Sequence, residues 1–254
     1  KLATENIKVE VYEKRKYPFH RVCGEFVCGA SDKILEDLGI ICCFKDSIRI
    51  KSMAWFLCND LVFEQELPTT ALGISRFLLD SKLADSARNA GAIIHHGTAF
   101  RGQDHSGLVW ARGKQTSRQS DWIGLSAHFE NINLERLEMY CGSRGYLGIS
   151  PIENNRVNVT GLFKKSTFRK FSGINLLLAY LNFNNCDDVF KRLNKGRYVD
   201  NSFTAITGFS FGQQRKNGFS IGDNSLLIPP FSGNGMSMAL EAAAQASKYL
   251  IKYS

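Results

Sequence analysis

The sequence predicts a mixed α/β (α+β) protein in which an incomplete parallel layer is intergrown with an antiparallel β-sheet. Three observations lead there: an early strand that ends in an acid, a late Gly-rich helix entrance, and long intervening stretches that alternate apolar and polar residues. With 254 residues, 44% of them hydrophobic, the chain can bury a sizeable core and does not have the composition of a disordered protein. No stretch approaches the roughly 18–20 consecutive apolar residues of a membrane span.

Taken in order, residues 1–6 read as the last turn of a helix. Ile7, Val9 and Val11 then alternate with Lys8, Glu10 and Tyr12 as a short strand would, with Glu13 at its carboxyl end. An acid there can bind the ribose hydroxyls of a dinucleotide; the plainer reading makes Glu13 one more member of a solvated charge run with Lys14, Arg15 and Lys16. In a dinucleotide fold the G-x-G-x-x-G fingerprint precedes this acid by roughly 20 residues, and counting back from Glu13 runs off the sequence. The expectation is a truncated chain, and its rival is a degenerate homologue that has lost its cofactor.

Leu79, Leu83, Ala87 and Ala90 recur at helical spacing after residues 73–80, and Gly91 marks the stop. Arg76 at the start of this helix opposes the helix dipole, so it needs another partner. Residues 92–98 read as a buried strand, and residues 108–117 as a strand and turn containing Arg112, Gly113 and Lys114, the two cations being solvent-facing on the plain reading. The link at 103–107 is short. Residues 52–67 and 122–164 read as antiparallel strands, with Asn154-Asn155 as a hairpin turn, and residues 173–195 read as helical.

The most informative segment is Ile221-Gly222-Asp223-Asn224-Ser225-Leu226-Leu227-Ile228-Pro229-Pro230-Phe231-Ser232-Gly233-Asn234-Gly235-Met236, a strand end, a rigid turn and a helix entrance. A helix N-terminus offers unpaired N–H groups and partial positive charge, while Gly233 and Gly235 allow close approach to the main chain. Asp223 is the polar handle for sugar or ribityl hydroxyls. Pro-Pro-Phe-Ser-Gly-Asn-Gly is otherwise an ordinary surface turn.

This segment resembles the second flavin-contacting motif of FAD-dependent oxidoreductases of the p-hydroxybenzoate hydroxylase and geranylgeranyl reductase type. A second match, Glu13-Lys14-Arg15-Lys16-Tyr17-Pro18-Phe19-His20-Arg21-Val22-Cys23-Gly24-Glu25-Phe26, resembles the loop after their second strand. The resemblance implies a Rossmann-like FAD domain from residues 1–50, 71–120 and 205–254, and a substrate domain from 51–70 and 121–204. It implies cofactor contacts from Glu13, Arg21, Cys23, Arg76, Gly113, Gly222, Asp223, Pro229, Gly233, Asn234, Gly235 and Met236. It also implies NAD(P)H as reductant and a small, largely apolar or aromatic organic substrate, reduced or hydroxylated. Arg112 stands where the family often has Asp, which weakens the pyrophosphate contact from that turn. Residues 126–129 and 145–151 resemble sheet segments that line or back the substrate cavity; His128 among them is tempting as an acid or base, though a lone strand histidine is more often structural. The Trp-x-Trp-x-x-Pro element of flavin halogenases is not found, which argues against halogenation.

The formal charge of +8 favours anionic ligands. The cations are dispersed, in Lys14 to Lys16, in Lys164, Lys165, Arg169 and Lys170, and in Lys191, Arg192, Lys195 and Arg197. No nucleic-acid motif organises them, and peripheral membrane contact stays open. Seven cysteines without zinc-ligand spacing suit a reducing, cytoplasmic setting. The alternative from another class is a cofactor-free homologue acting as a binding or scaffold protein.

Overall fold

The computed structural model describes residues 1–114, 120–165, 170–213 and 218–253. The turn expected at Gln115, Thr116 and Ser117, and Arg169 of the basic run, lie outside these residues. The strands are β1 (Glu10–Glu13), β2 (Phe26–Val27), β3 (Ile48–Leu57), β4 (Asp60–Gly73), β5 (Ile93–His96), β6 (Val109–Trp110), β7 (Trp122–Glu130) and β8 (Leu137–Gly142). They continue as β9 (Gly145–Ile152), β10 (Arg156–Lys164), β11 (Arg197–Tyr198), β12 (Thr204–Thr207), β13 (Gly212–Gln213), β14 (Phe219–Ser220) and β15 (Leu226–Leu227). The helices are α1 (Asp32–Leu38), α2 (Arg76–Asn89), α3 (Ile174–Phe183), α4 (Asp187–Lys195) and α5 (Gly235–Tyr253).

One large sheet runs β11-β7-β10-β9-β8-β3-β4-β2, with β12 also on β7. Two parallel pairs, β1 with β5 and β6 with β14, form the other layer. The mixed α/β expectation and the intergrown antiparallel sheet are both found. Asn154 and Asn155 make the β9–β10 turn at φ of 61° and 53°, the left-handed conformation that Asn tolerates.

Period-two alternation gives the large sheet two chemically different faces. Leu125, Ala127 and Phe129 of β7, Leu147 and Ile149 of β9, and Val157, Val159 and Phe163 of β10 pack against Leu177, Tyr180 and Leu181 of α3 and Val189 and Leu193 of α4. Helix α4 suits its dipole, with Asp187 and Asp188 in its first turn and Arg192 and Lys195 in its last. The opposite face carries Gly124, His128, Tyr146, Gly148, Ser150 and Thr160, and turns toward a cavity. A second core, Val27, Leu35, Phe44, Leu72, Ile74 and Leu79, binds α1 and α2 to the β2–β4 end, with Met236 and Leu240 of α5 against it.

Several expectations are corrected. Strand β1 begins at Glu10 rather than Ile7, and residues 3–5 form a 3-10 turn rather than an α-helical one. In the stretch expected to be a buried strand, Ala92 is buried but Ile93 is 46% exposed, because β5 has a single partner strand and its outer face lies uncovered. β3 pairs with β8 in parallel, Met53 opposite Leu137, which local alternation cannot reveal because direction depends on the path of the chain between them.

Gly73 closes β4 where the sheet passes beneath the β9–β10 turn, and a Cβ there would stand 2.1 Å from the Pro151 carbonyl oxygen. Gly73→Ala is therefore expected to cost about 1–3 kcal/mol, because the colliding atom is backbone and cannot rotate away. Denaturant unfolding monitored by circular dichroism would check it, an unchanged midpoint being the contrary result.

Candidate functional site: a cleft between two glycine-lined loops

A single cavity of about 3520 Å³ separates the polar face of the sheet from the parallel pairs, α2 and α5. Small-molecule pockets usually hold about 300–1,000 Å³, so this cleft has room for a dinucleotide together with a second molecule. Of the expected contacts, Glu13, Arg21, Cys23, Arg76, Gly113, Gly222, Asp223, Gly233, Gly235 and Met236 line it. Pro229 and Asn234 do not. Both are exposed, and their work is local: Pro229 precedes the 3-10 turn at Pro230–Ser232, while the Asn234 carbonyl accepts from Met238 N–H and Ser237 Oγ.

The early and late loops meet directly. The Cys23 Sγ lies 3.9 Å from Met236 Sδ, and a Cβ on Gly233 would come within 2.7 Å of the Phe26 ring. Gly233 also has φ of +71°, so both its conformation and its neighbour require glycine. Gly235 faces open space. The Met238 N–H is bonded to the Asn234 carbonyl at 3.0 Å, one turn back, so the N–H groups of Gly235, Met236 and Ser237 precede the helical ladder and mark an anion-suited end.

An ion-pair chain runs along the other wall. Glu13 at the end of β1 accepts from Arg21 Nη2 at 3.1 Å; Arg21 Nε donates to Asp80 at 3.0 Å; Asp80 accepts both Arg76 Nε and Nη2 at 2.6 and 2.9 Å. Asp80 is the partner that Arg76 needs against the α2 dipole. It was not foreseen, although its i+4 spacing from Arg76 is visible in the sequence. Arg21 also stacks over Phe19 at 4.3 Å.

Burial raises the Asp223 carboxyl above the usual carboxylate range, against the pull of Arg76 and Lys114. Lys114 is not the solvent-facing residue expected: it is half-buried and donates to the Thr207 and Gly208 carbonyls at 2.7 and 3.1 Å. Arg112 lies over the Trp110 ring at 4.1 Å. Burial also pushes the Cys23 thiol up, with the nearby Arg76 only partly offsetting it, so Cys23 sits as a neutral thiol rather than a nucleophilic thiolate.

Sequence reading missed the carboxylates that anchor the cleft. Glu25 and Glu153 are both buried at the N-terminus of α2. Glu25 accepts from Arg76 N–H at 2.9 Å, and Glu153 accepts from Ser75 N–H at 2.8 Å and Ser75 Oγ at 2.5 Å. Glu25 also meets His128 Nε2 at 2.6 Å and holds φ of 57°. Its one-dimensional signal was its place beside Cys23-Gly24; nothing in the sequence ties it to a histidine 103 residues away. His20 stacks on Phe77 at 4.6 Å and meets His128 edge-on at 4.8 Å, and its buried Nδ1 has no hydrogen-bond partner.

No family model and no curated protein matches the sequence. Solved structures do resemble the fold. A flavoprotein/dehydrogenase from Cytophaga hutchinsonii superposes with a TM-score of 0.79 at 15% identity, over 99% of this chain and 75% of that one. The flavin-dependent brominase Bmp2 gives 0.77 at 16%, over 99% and 75%. PqsL, a probable FAD-dependent monooxygenase from Pseudomonas aeruginosa, gives 0.72 at 15%, over 99% and 82%. The chain thus shares the fold of these flavin-dependent proteins.

Two predictions follow from this geometry. Asp80→Asn leaves Arg21 and Arg76 without their shared charge and is expected to destabilise the fold by about 1–3 kcal/mol, short of the cost of a fully buried pair because both guanidiniums keep some solvent. Thermal unfolding would measure it. The His20 pKa is pulled down to about 4, chiefly by burial and then by His128 and Arg156, with Glu153 opposing. As pH falls from about 6.5, the unfolded chain takes up this proton before the native one does. The stability His20 contributes is therefore present above that pH and lost as pH falls toward 4. His20→Phe should flatten the Tm profile in that window; an identical profile would contradict the assignment.

Proposed function

We propose that the chain is an FAD-dependent oxidoreductase that reduces or hydroxylates a small, largely apolar or aromatic organic molecule, with NAD(P)H as reductant. The observation that carries this reading is the meeting of the two loops across one cleft, with Glu13 on one wall and the α5 entrance on the other. The residues fit a flavin nucleotide. Gly113, at φ of +76°, and Gly235 each face open space where a Cβ would otherwise project, and Asp223, half-buried, lines the same cleft.

In this reading, residues 1–50, 71–120 and 205–254 hold the cofactor and 51–70 with 121–204 roof the substrate. Glu13 binds ribose hydroxyls, Asp223 accepts from sugar or ribityl hydroxyls, and the N–H groups of Gly235 to Ser237 hold negative charge near the ring. Bound flavin would supply the two-electron chemistry. The sheet face, with Tyr146, Leu162 and Phe203 in the wall, would keep water from the organic molecule.

The test is direct titration of the purified chain with FAD, followed by absorption and flavin fluorescence. Binding is expected, weakened about tenfold by Glu13→Ala and abolished by Gly235→Trp, whose indole would fill the open space. A colourless protein that ignores FAD would favour a cofactor-free binding or scaffold protein instead.

A further inference from the structure

We propose that His128, oriented by the buried Glu25 carboxylate, is a general base whose Nδ1 takes a proton from an acidic hydroxyl of an organic molecule bound in the cleft. This deepens the reading above by assigning the proton-transfer residue and the substrate class, a phenol or enol.

The argument starts from the hydrogen bond at 2.6 Å between Glu25 Oε2 and His128 Nε2, where both side chains are almost wholly buried. A carboxylate can only accept, so Nε2 carries the hydrogen of this bond and Nδ1 is the nitrogen left to take up a proton. Nδ1 has no hydrogen-bond partner among the described residues, and His128 contributes to the cavity wall. A ring anchored through one nitrogen by a carboxylate, on a residue that contributes to a cavity wall, is the arrangement general-base histidines need.

The surroundings hold the pair in place. Glu25 is charge-stabilised by Arg76 N–H at the start of α2, and its left-handed backbone is an unusual conformation for a Glu. Ser202 Oγ accepts from the His128 N–H at 3.0 Å, fixing the backbone. His20 packs edge-on against the imidazole. Arg156 and Glu153 act on His20 from the β9–β10 end, and Cys23 lies on the Glu25 side. In the step itself the O–H bond breaks and an Nδ1–H bond forms; the oxyanion stays on the substrate, and the Glu25 carboxylate balances the new imidazolium.

Two measurements decide it, and neither needs bound flavin. Long-range proton–nitrogen correlation on histidine-labelled protein at about pH 7.5 is expected to show His128 as the neutral Nε2–H tautomer, and a protonated Nδ1 would overturn the proposal. The second uses 4-nitrophenol, whose phenol and phenolate differ in colour. Bound to the wild-type chain, its ionisation constant should rise about tenfold over that in solution, and His128→Gln should remove the shift while leaving the phenol bound. A role confined to structure predicts no such colour difference, and failure of nitrophenol to bind also overturns the proposal. If His128→Gln does not fold, Glu25→Gln provides the second variant, expected to reduce the shift, and the wild-type tautomer stands as an independent test. The FAD titration fails or succeeds separately, so loss of the flavin reading and loss of this one are distinguishable.

Discussion

A row of three polar residues across the sheet fixes everything else. Register places His128 of β7 opposite Asn158 of β10, and Asn158 opposite Ser150 of β9. Each grips one residue of the early loop: Asn158 Nδ2 donates to the Cys23 carbonyl, Ser150 Oγ to the Gly24 carbonyl, and His128 Nε2 bonds the Glu25 carboxylate. Ser126 Oγ holds Asn158 in the orientation this requires, donating to its Oδ1 at 2.7 Å. The two amide and hydroxyl bonds contribute about 0.5–1.5 kcal/mol each and the bond to the carboxylate about 1.5–3, and leaving one buried group unpaired costs about 1–3 kcal/mol, so the loop has no cheap alternative position. Because Cys23 and Phe26 then touch Met236 and Gly233, the same row sets the width of the cleft between the two loops.

The second constraint is electrostatic and centres on the start of α2. Two buried carboxylates, Glu25 and Glu153, reach its N-terminus from different parts of the chain and satisfy the N–H groups of Arg76 and Ser75. Ser75 Oγ, the N-cap, accepts from Leu78 N–H while donating to Glu153, so a single hydroxyl serves both the helix and the acid. The positive helix end makes these buried charges tolerable. Arg76 then stands where a cation is disfavoured, and its bidentate pairing with Asp80 one turn later compensates. The helix that seals the cleft is thus held by polar bonds at its start and by Leu79 in the apolar core further on.

Much of the fold was legible because its signals are local. The alternation in residues 122–164 gave the strands, Asn154-Asn155 the hairpin, and the leucines of 173–195 the covering helices. Most of the expected cofactor contacts line one cleft because each sits in a motif of a few residues whose glycine, proline and acid have local backbone meanings. The parallel pairing of β3 with β8 and the exposure of β5 were not legible, since both depend on partners far along the chain. For the same reason Glu25, Glu153 and Asn158 went unnoticed: a single buried Glu or Asn carries no periodic signal, and its meaning lies in a partner dozens of residues away.

The charge of the whole chain proves a poor guide to the charge of the cleft. The formal +8 suggests a basic site, yet Arg21 and Arg76 are committed to Glu13 and Asp80, and Lys114 spends its donors on two backbone carbonyls. Opposing charges this close cancel most of the field a distant anion would feel. At the mouth of α5 the N–H groups of Gly235, Met236 and Ser237, which precede the helical ladder, form a donor set that carries no formal charge but is fixed in direction. Gly233 and Gly235 shape that mouth, so the direction of these donors rests on backbone geometry and not on the side-chain charge counted over the whole chain.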